Sequence, residues 1–109
     1  MGSRIYLGEL EELILLIVAL LDKEAYAVSI AEELVSQAER EISLSAIHAV
    51  LHRLEEKGFV KSELGGATEL RGGRRKRLFR ITAYGYQSLA ELRETRNLIW
   101  NQLPKSSWT

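Results

Sequence analysis

From Leu10 onward the apolar residues recur at helical spacing. Leu10, Leu13, Ile14, Ile17, Leu20 and Leu21 make a stripe that Leu16, Val18 and Ala19 widen. This pattern predicts a first helix from Gly8 to Leu21, buried on most sides. Asp22 to Tyr26 interrupts the rhythm, and a second helix is predicted from Val28 to Ala38, with Ile30, Leu34 and Ala38 on one face and Glu32, Glu33 and Gln37 elsewhere. Ile42 then returns to the core. Ser43 is suited to cap a third helix, because its hydroxyl can accept from a backbone amide one turn later. That helix is expected to end at Gly58. Its apolar stripe is Ile47, Val50, Leu51 and Leu54, which leaves Ser45, Ala46, His48, Ala49, His52 and Arg53 as the face free to touch a partner.

The period changes from Phe59. Phe59 to Leu64 and Arg77 to Ile81 alternate apolar with polar residues, as half-buried strands do, and the glycine-rich stretch from Gly65 to Gly73 makes them a hairpin with a long tip. Thr82 caps a final helix that is predicted to reach Leu103, where the lone Pro104 stops it. Leu89, Leu92, Ile99 and Leu103 recur along it at a spacing near that of a helix-pairing seam. Gly85 costs about 1 kcal/mol relative to Ala inside a helix, which points to a close approach to the strands or to a late helix start.

A chain of 109 residues fits a single compact domain. A domain this small buries a modest share of its surface, so pairing with a second copy is a natural completion of its core. No cysteine is present, which excludes disulfides, thiolate catalysis and thiolate metal sites and suits a reducing cytoplasm. The longest apolar run, Leu13 to Leu21, is nine residues, about half of what a membrane-spanning helix needs. A cytoplasmic protein with no membrane partner is therefore expected. The formal net charge of zero hides a segregation. Residues 1–56 carry four Lys/Arg and eleven Asp/Glu, net −7, whereas residues 57–109 carry eleven and four, net +7. The second half is built for an anionic partner.

The densest positive charge is Arg71, Arg74, Arg75, Lys76, Arg77 and Arg80, six cations within ten residues and no acid among them. Such a segment suits the phosphate backbone of double-stranded DNA, where neutralisation releases counterions. The third helix matches it, because Ser45, Ala46 and Ala49 are small enough near its N-terminus to let it sit deep in a major groove. Ser43, Ser45, Ala46, His48, Ala49, His52 and Arg53, with Arg71, Arg74, Arg75, Lys76 and Arg77, are the candidate DNA-binding residues. A solvated charge cluster is the plainer alternative.

His48 and His52 are one helical turn apart, a zinc-like spacing that would need a third ligand such as Glu55 or Glu56. Neither a metal site nor a cofactor is expected. The acidic pairs Glu11–Glu12 and Glu32–Glu33 read as solvated outer faces of helices. No nucleophile stands with a base at a recognisable spacing, so an enzyme is not expected. Trp100 reads as dimer core, and Trp108 as a further aromatic anchor for a partner.

The run from Ser43 to Val60 (Ser-Leu-Ser-Ala-Ile-His-Ala-Val-Leu-His-Arg-Leu-Glu-Glu-Lys-Gly-Phe-Val), followed by Gly72 to Thr82, resembles the PadR family of transcriptional regulators. The likeness covers about residues 10–95, and the Tyr26–Ala27 start of helix two adds to it. It implies a mainly α fold with a small β-hairpin. Residues 1–82 would be a winged helix-turn-helix with its N-terminal helix, 83–104 a C-terminal dimerisation helix of the same domain, and 105–109 a loose tail.

It further implies a cytosolic homodimer whose third helix enters the major groove, whose basic wing touches the backbone, and whose usual activity is repression. The short C-terminus resembles the compact branch of the family. Leu10, Leu13, Leu89, Leu92, Arg96, Ile99, Trp100 and Leu103 are then the expected dimer interface. A small-molecule effector at that interface, lined by an aromatic residue near Trp100, is part of the same expectation. The chain departs from the family pattern at Ser45–Ala46, where Gly-Thr is common, at His48 and Ala49, where Tyr and Pro are common, and at Ala27, where Gly is common. A protein-interaction module on the same fold and a metal-responsive regulator using His48 and His52 are the alternatives.

Overall fold

The computed structural model describes residues 7–65 and 76–108, with the backbone alone at Ser107 and Trp108. The tip of the hairpin, including Arg71, Arg74 and Arg75, lies outside the described residues. Four helices and a two-stranded sheet follow in the order α1 (Glu9–Leu21), α2 (Ala27–Ala38), α3 (Leu44–Glu56), β1 (Val60–Leu64), β2 (Arg77–Ile81) and α4 (Ala83–Trp100). This is the order of helices and strands that the pattern predicts, and the mainly helical, winged-helix arrangement that the resemblance implies.

Helix α1 buries Ile14, Leu15, Ile17 and Val18, but Leu16 and Leu20 are 46% and 59% exposed. The helix is otherwise buried or half-buried along its length, as expected, because α2, α3, β2 and α4 all pack on it, and with Glu9 these two leucines are its exposed positions. A correction concerns Glu11, which is buried rather than solvated. Its carboxylate accepts the Gly8 N–H at 2.8 Å, in the first turn where orphan amides need an acceptor.

Helix α2 starts at Ala27 because Ser29 Oγ accepts the Tyr26 N–H at 3.0 Å and donates to the Glu24 carbonyl at 2.7 Å. It ends on Glu39, whose left-handed φ of 55° lets the Arg40 N–H reach back to the Leu34 carbonyl at 3.2 Å. That turn delivers the chain to α3. Ser43 Oγ accepts the Ala46 N–H at 3.2 Å, which confirms the predicted cap. Helix α3 closes at Glu56, two residues before the expected end, and Gly58 at φ 85° turns the chain into the sheet.

Strands β1 and β2 are antiparallel, with Ser62 opposite Phe79 and Leu64 opposite Arg77. The Phe79 N–H also donates to the Ala25 carbonyl at 2.9 Å, which seats the sheet on the helices. Thr82 Oγ1 accepts the Gly85 N–H at 2.9 Å and donates to the Gly58 carbonyl at 2.7 Å, so one hydroxyl both caps α4 and ties it to the turn that leads into β1. Helix α4 ends at Trp100, short of the predicted Leu103, and Lys105–Trp108 forms a 3₁₀ turn after Pro104.

Ile14, Leu15, Val18, Ile30, Leu34, Ile47, Leu51 and Leu54 form a core at the junction of α1, α2 and α3, and Phe59, Val60 and Phe79 extend it under the sheet. Among the described residues no helix is long and apolar enough to cross a membrane.

Candidate nucleic-acid interface

Burying Ile47, Val50, Leu51 and Leu54 turns the opposite side of α3 outward, and with it Ser45, His48, Ala49 and His52. Ser43 is exposed at the N-terminus of the helix, and Ala46 is half-buried beside it. The face is low in profile at its N-terminal end and carries imidazoles further along. His52 Nε2 lies 3.2 Å from Glu56 Oε2, a pairing one turn long that is ionic only when the imidazole is protonated.

The root of the hairpin stands against this face. His48, His52, Glu55, Ser62, Arg77 and Phe79 line a concavity of 280 Å³ between helix and sheet. Arg77 donates to Ser62 Oγ at 3.1 Å, and Ser62 donates to Glu55 Oε2 at 2.9 Å. The wing is thus fastened to α3 by a relay of side chains. Lys76 Nζ sits 4.2 Å from the centre of the Tyr26 ring, a cation–π contact that holds the strand entry against the start of α2. Sequence reading missed Glu55 as a fastening and Ser62 altogether. Their pairing depends on the hairpin folding back, and only the alternation within β1 hinted at where Ser62 would lie.

Arg53 takes a different place from the other α3 candidates. It lies on the flank of the helix, and its Nε donates to Glu11 Oε2 at 3.1 Å. Lys57 donates to the same carboxylate at 3.0 and 3.1 Å. Arg53 is therefore drawn toward α1. Among the described residues no cluster of three His, Cys, Asp or Glu is arranged to hold a metal ion, and His48 and His52 have no such third partner.

The residues expected at a dimer interface divide in two. Leu89 is buried inside the protomer, Leu10 and Leu13 are half-buried against its core, and Leu92 is half-buried. Ile99, Trp100 and Leu103 are 56%, 71% and 43% exposed, and every residue from Arg93 to Trp100 faces outward. Arg96 donates to Glu12 Oε1 at 2.7 Å across the gap between α4 and α1. A groove of 340 Å³ runs between these two helices, lined by Leu16, Ala19, Tyr86, Leu89 and Ala90 among others.

The family model described as the transcriptional regulator PadR-like family matches residues 14–91. An uncharacterized protein of Lysinibacillus sphaericus is 33% identical over 92 residues, covering 83% of this chain and 80% of that protein. A PadR-like transcription factor from Bacteroides fragilis has a similar structure, with a TM-score of 0.71, 27% identity and coverage of 86% of this chain and 85% of its own. A PadR family transcription regulator from Clostridium difficile superposes with a TM-score of 0.71 at 23% identity, covering 86% of this chain and 93% of that one, a likeness of fold. The family and these solved relatives are transcription regulators, not enzymes. From the apolar run of α1, through the exposed face of α3 and the hairpin, to the first half of α4, this chain belongs to the transcriptional regulator PadR-like family.

Proposed function

We propose that this chain is a sequence-specific DNA-binding regulator that acts as a homodimer on a roughly palindromic operator and represses transcription. The observation that carries the reading is the outward side of α3. Ser45, His48, Ala49 and His52 form an exposed, shallow surface fastened through Glu55, Ser62 and Arg77 to the root of an arginine-rich hairpin. In this reading α3 enters a major groove with Ser43, Ser45, Ala46, His48, Ala49 and His52 toward base edges and phosphates. Lys76 and Arg77, with Arg71, Arg74 and Arg75, follow the flanking backbone.

The dimer rests on the second half of α4. A helical segment whose residues are all exposed, joined to the rest of the protomer through the Arg96–Glu12 pair, gains little from its own hydrogen bonds and needs a packing partner. A second copy seated on Ile99, Trp100, Leu103 and the exposed Leu16 and Leu20 would supply one. The groove between α1 and α4 borders that surface and is where a small-molecule effector would act.

Anisotropy titration against duplexes enriched from a random pool, at low and near-physiological salt, tests the proposal. A palindromic motif bound with steep salt dependence is the expected result. Replacing Arg74, Arg75 and Arg77 together by Ala should weaken binding to all duplexes alike and flatten the salt slope, by about 0.9 for each phosphate that is no longer neutralised. Unchanged affinity in that variant would remove the wing from the interface, and uniformly weak binding by the parent would favour a protein-interaction module.

A further inference from the structure

The acids that open α1 each reach a different part of the molecule. Glu9 pairs with Arg40 in the turn before α3 at 3.0 Å, and Glu12 pairs with Arg96 on α4 at 2.7 Å. Glu11 lies between them with its side chain only 9% exposed, and it accepts from Arg53 on α3 and from Lys57 at the C-terminal end of that helix. These two cations remain 52% and 37% exposed on the flank next to the outward side of α3. Exposed cations beside a DNA-reading helix are suited to phosphate contact. Here both are turned to a carboxylate on a neighbouring helix.

We propose that Glu11 is a positioning residue for DNA reading, acting through Arg53 and Lys57. It adds a polar tie to α1 that steadies the rotation set by the apolar stripe of α3, and it withholds two cations from the phosphate backbone. The inference rests on the DNA-binding reading above.

Phosphate contacts strengthen binding to every sequence, whereas base contacts separate one sequence from another. Withholding cations therefore lowers affinity for every duplex alike and flattens its salt dependence, while leaving base contacts in place. A carboxylate is suited to this role because Glu11 is shielded from solvent, which strengthens its hold on the two cations relative to the exposed Arg40 and Arg96 pairs on either side of it. The flank of α3 is then held at a fixed distance from α1, and Ser45, His48 and His52 keep a fixed aim.

The test compares the parent chain with Arg53→Gln, Glu11→Gln and the triple variant Glu11→Gln/Arg53→Gln/Lys57→Gln. The slope of log affinity against log salt is read on the selected operator and on an unrelated duplex. Arg53→Gln should keep the parental slope on both duplexes, because the guanidinium it removes touches no phosphate. Glu11→Gln should bind both duplexes more tightly, with a slope steeper by about 0.9–1.8 as one or two cations reach phosphate. Its preference for the operator should fall about tenfold, the discrimination typical of a single base pair, as the flank of α3 loses its tie to α1 and the base-reading side chains lose their aim. The triple variant should return to the parental slope, an outcome that loss of packing alone would not produce.

A slope that drops by about 0.9 in Arg53→Gln, or a folded Glu11→Gln with the parental slope, overturns the inference and leaves the DNA-binding reading standing. If Glu11→Gln does not fold, Arg53→Gln decides alone. A parent chain with no salt-sensitive affinity for any duplex overturns the DNA-binding reading and this inference with it.

Discussion

Replacing Gly85 by Ala is the sharpest stability test of the fold. Alanine is the best helix former, and exchanging a helical glycine for it ordinarily stabilises a helix by about 1 kcal/mol. At Gly85 the added Cβ would fall inside the van der Waals envelope of the Phe59 carbonyl oxygen. It would also lie 2.9 Å from Ile81 Cγ1 and 3.2 Å from the Phe59 carbonyl carbon. The principal obstacle is backbone, not the end of a flexible side chain, so α4 has to back away from β1.

That retreat strains the contacts gathered at the same point: the Gly85 N–H on Thr82 Oγ1 at 2.9 Å and the Thr82 N–H on the Phe59 carbonyl at 3.0 Å. It also disturbs the stacking of Tyr84 on Phe59, with ring centroids 5.0 Å apart. Overpacking of this kind costs about 1–3 kcal/mol, and weakening the cap about 1 more. After subtracting the propensity gain, Gly85→Ala should destabilise the chain by about 2 kcal/mol, lowering the melting temperature by about 8 °C. Thermal and urea unfolding followed by circular dichroism, with both proteins at one concentration, measure this. A Gly85→Ala chain as stable as the parent, or more so, would refute the argument that glycine is required by the approach to Phe59.

Two further predictions concern α3 and its support. Ser43→Ala removes the acceptor of the Ala46 N–H and should cost about 1 kcal/mol in urea unfolding; no change would mean that solvent serves that amide equally well. Burial by itself raises the pKa of the Glu11 carboxyl, but hydrogen bonds from the Gly8 N–H, Lys57 and Arg53, with the charge of Lys57, outweigh it and leave it below the ordinary value. With the folded value below the unfolded one, the unfolded chain takes up the proton first. The stabilisation is complete above about pH 4.3 and is lost as the pH falls through the folded value. Between pH 6 and pH 3 the parent should therefore lose more stability than Glu11→Gln, and equal losses would refute the assignment.

Features fixed by neighbours in the chain were legible in the sequence. Ser43 and Thr82 cap the helices they precede because a hydroxyl reaches an amide three residues on, whatever else the fold does. The alternation around Phe79 located a strand, and Gly85 gave away a tight contact before the contacting carbonyl was known. The outward side of α3 also followed from the stripe opposite it. What could not be read was set by partners far along the chain. Glu11 and Glu12 look alike in sequence, yet Glu11 meets Arg53 and Lys57 more than forty residues away and is buried, while Glu12 meets Arg96. Arg53 was legible as polar and off the apolar stripe, but the direction in which it turns depends on where α1 crosses α3. Leu16 and Leu20 were counted as core because periodicity reports an apolar face without saying whether this chain or another covers it.

Helix α4 is anchored at Gly85, Ser88 and Leu89 and then runs on, exposed, from Arg93 to Trp100. It is a cantilever, with Arg96 and Glu12 as its brace. A straight α-helix advances about 1.5 Å per residue and does not stretch, so the eight residues from Arg93 to Trp100 form a stiff arm about 12 Å long. In the dimer we propose, two such arms would set the separation of the α3 helices as a ruler does. One added base pair lengthens the operator by about 3.4 Å and also rotates one half-site about the duplex axis. A stiff ruler cannot follow that rotation, and this chain would read the spacing of its half-sites as strictly as their sequence.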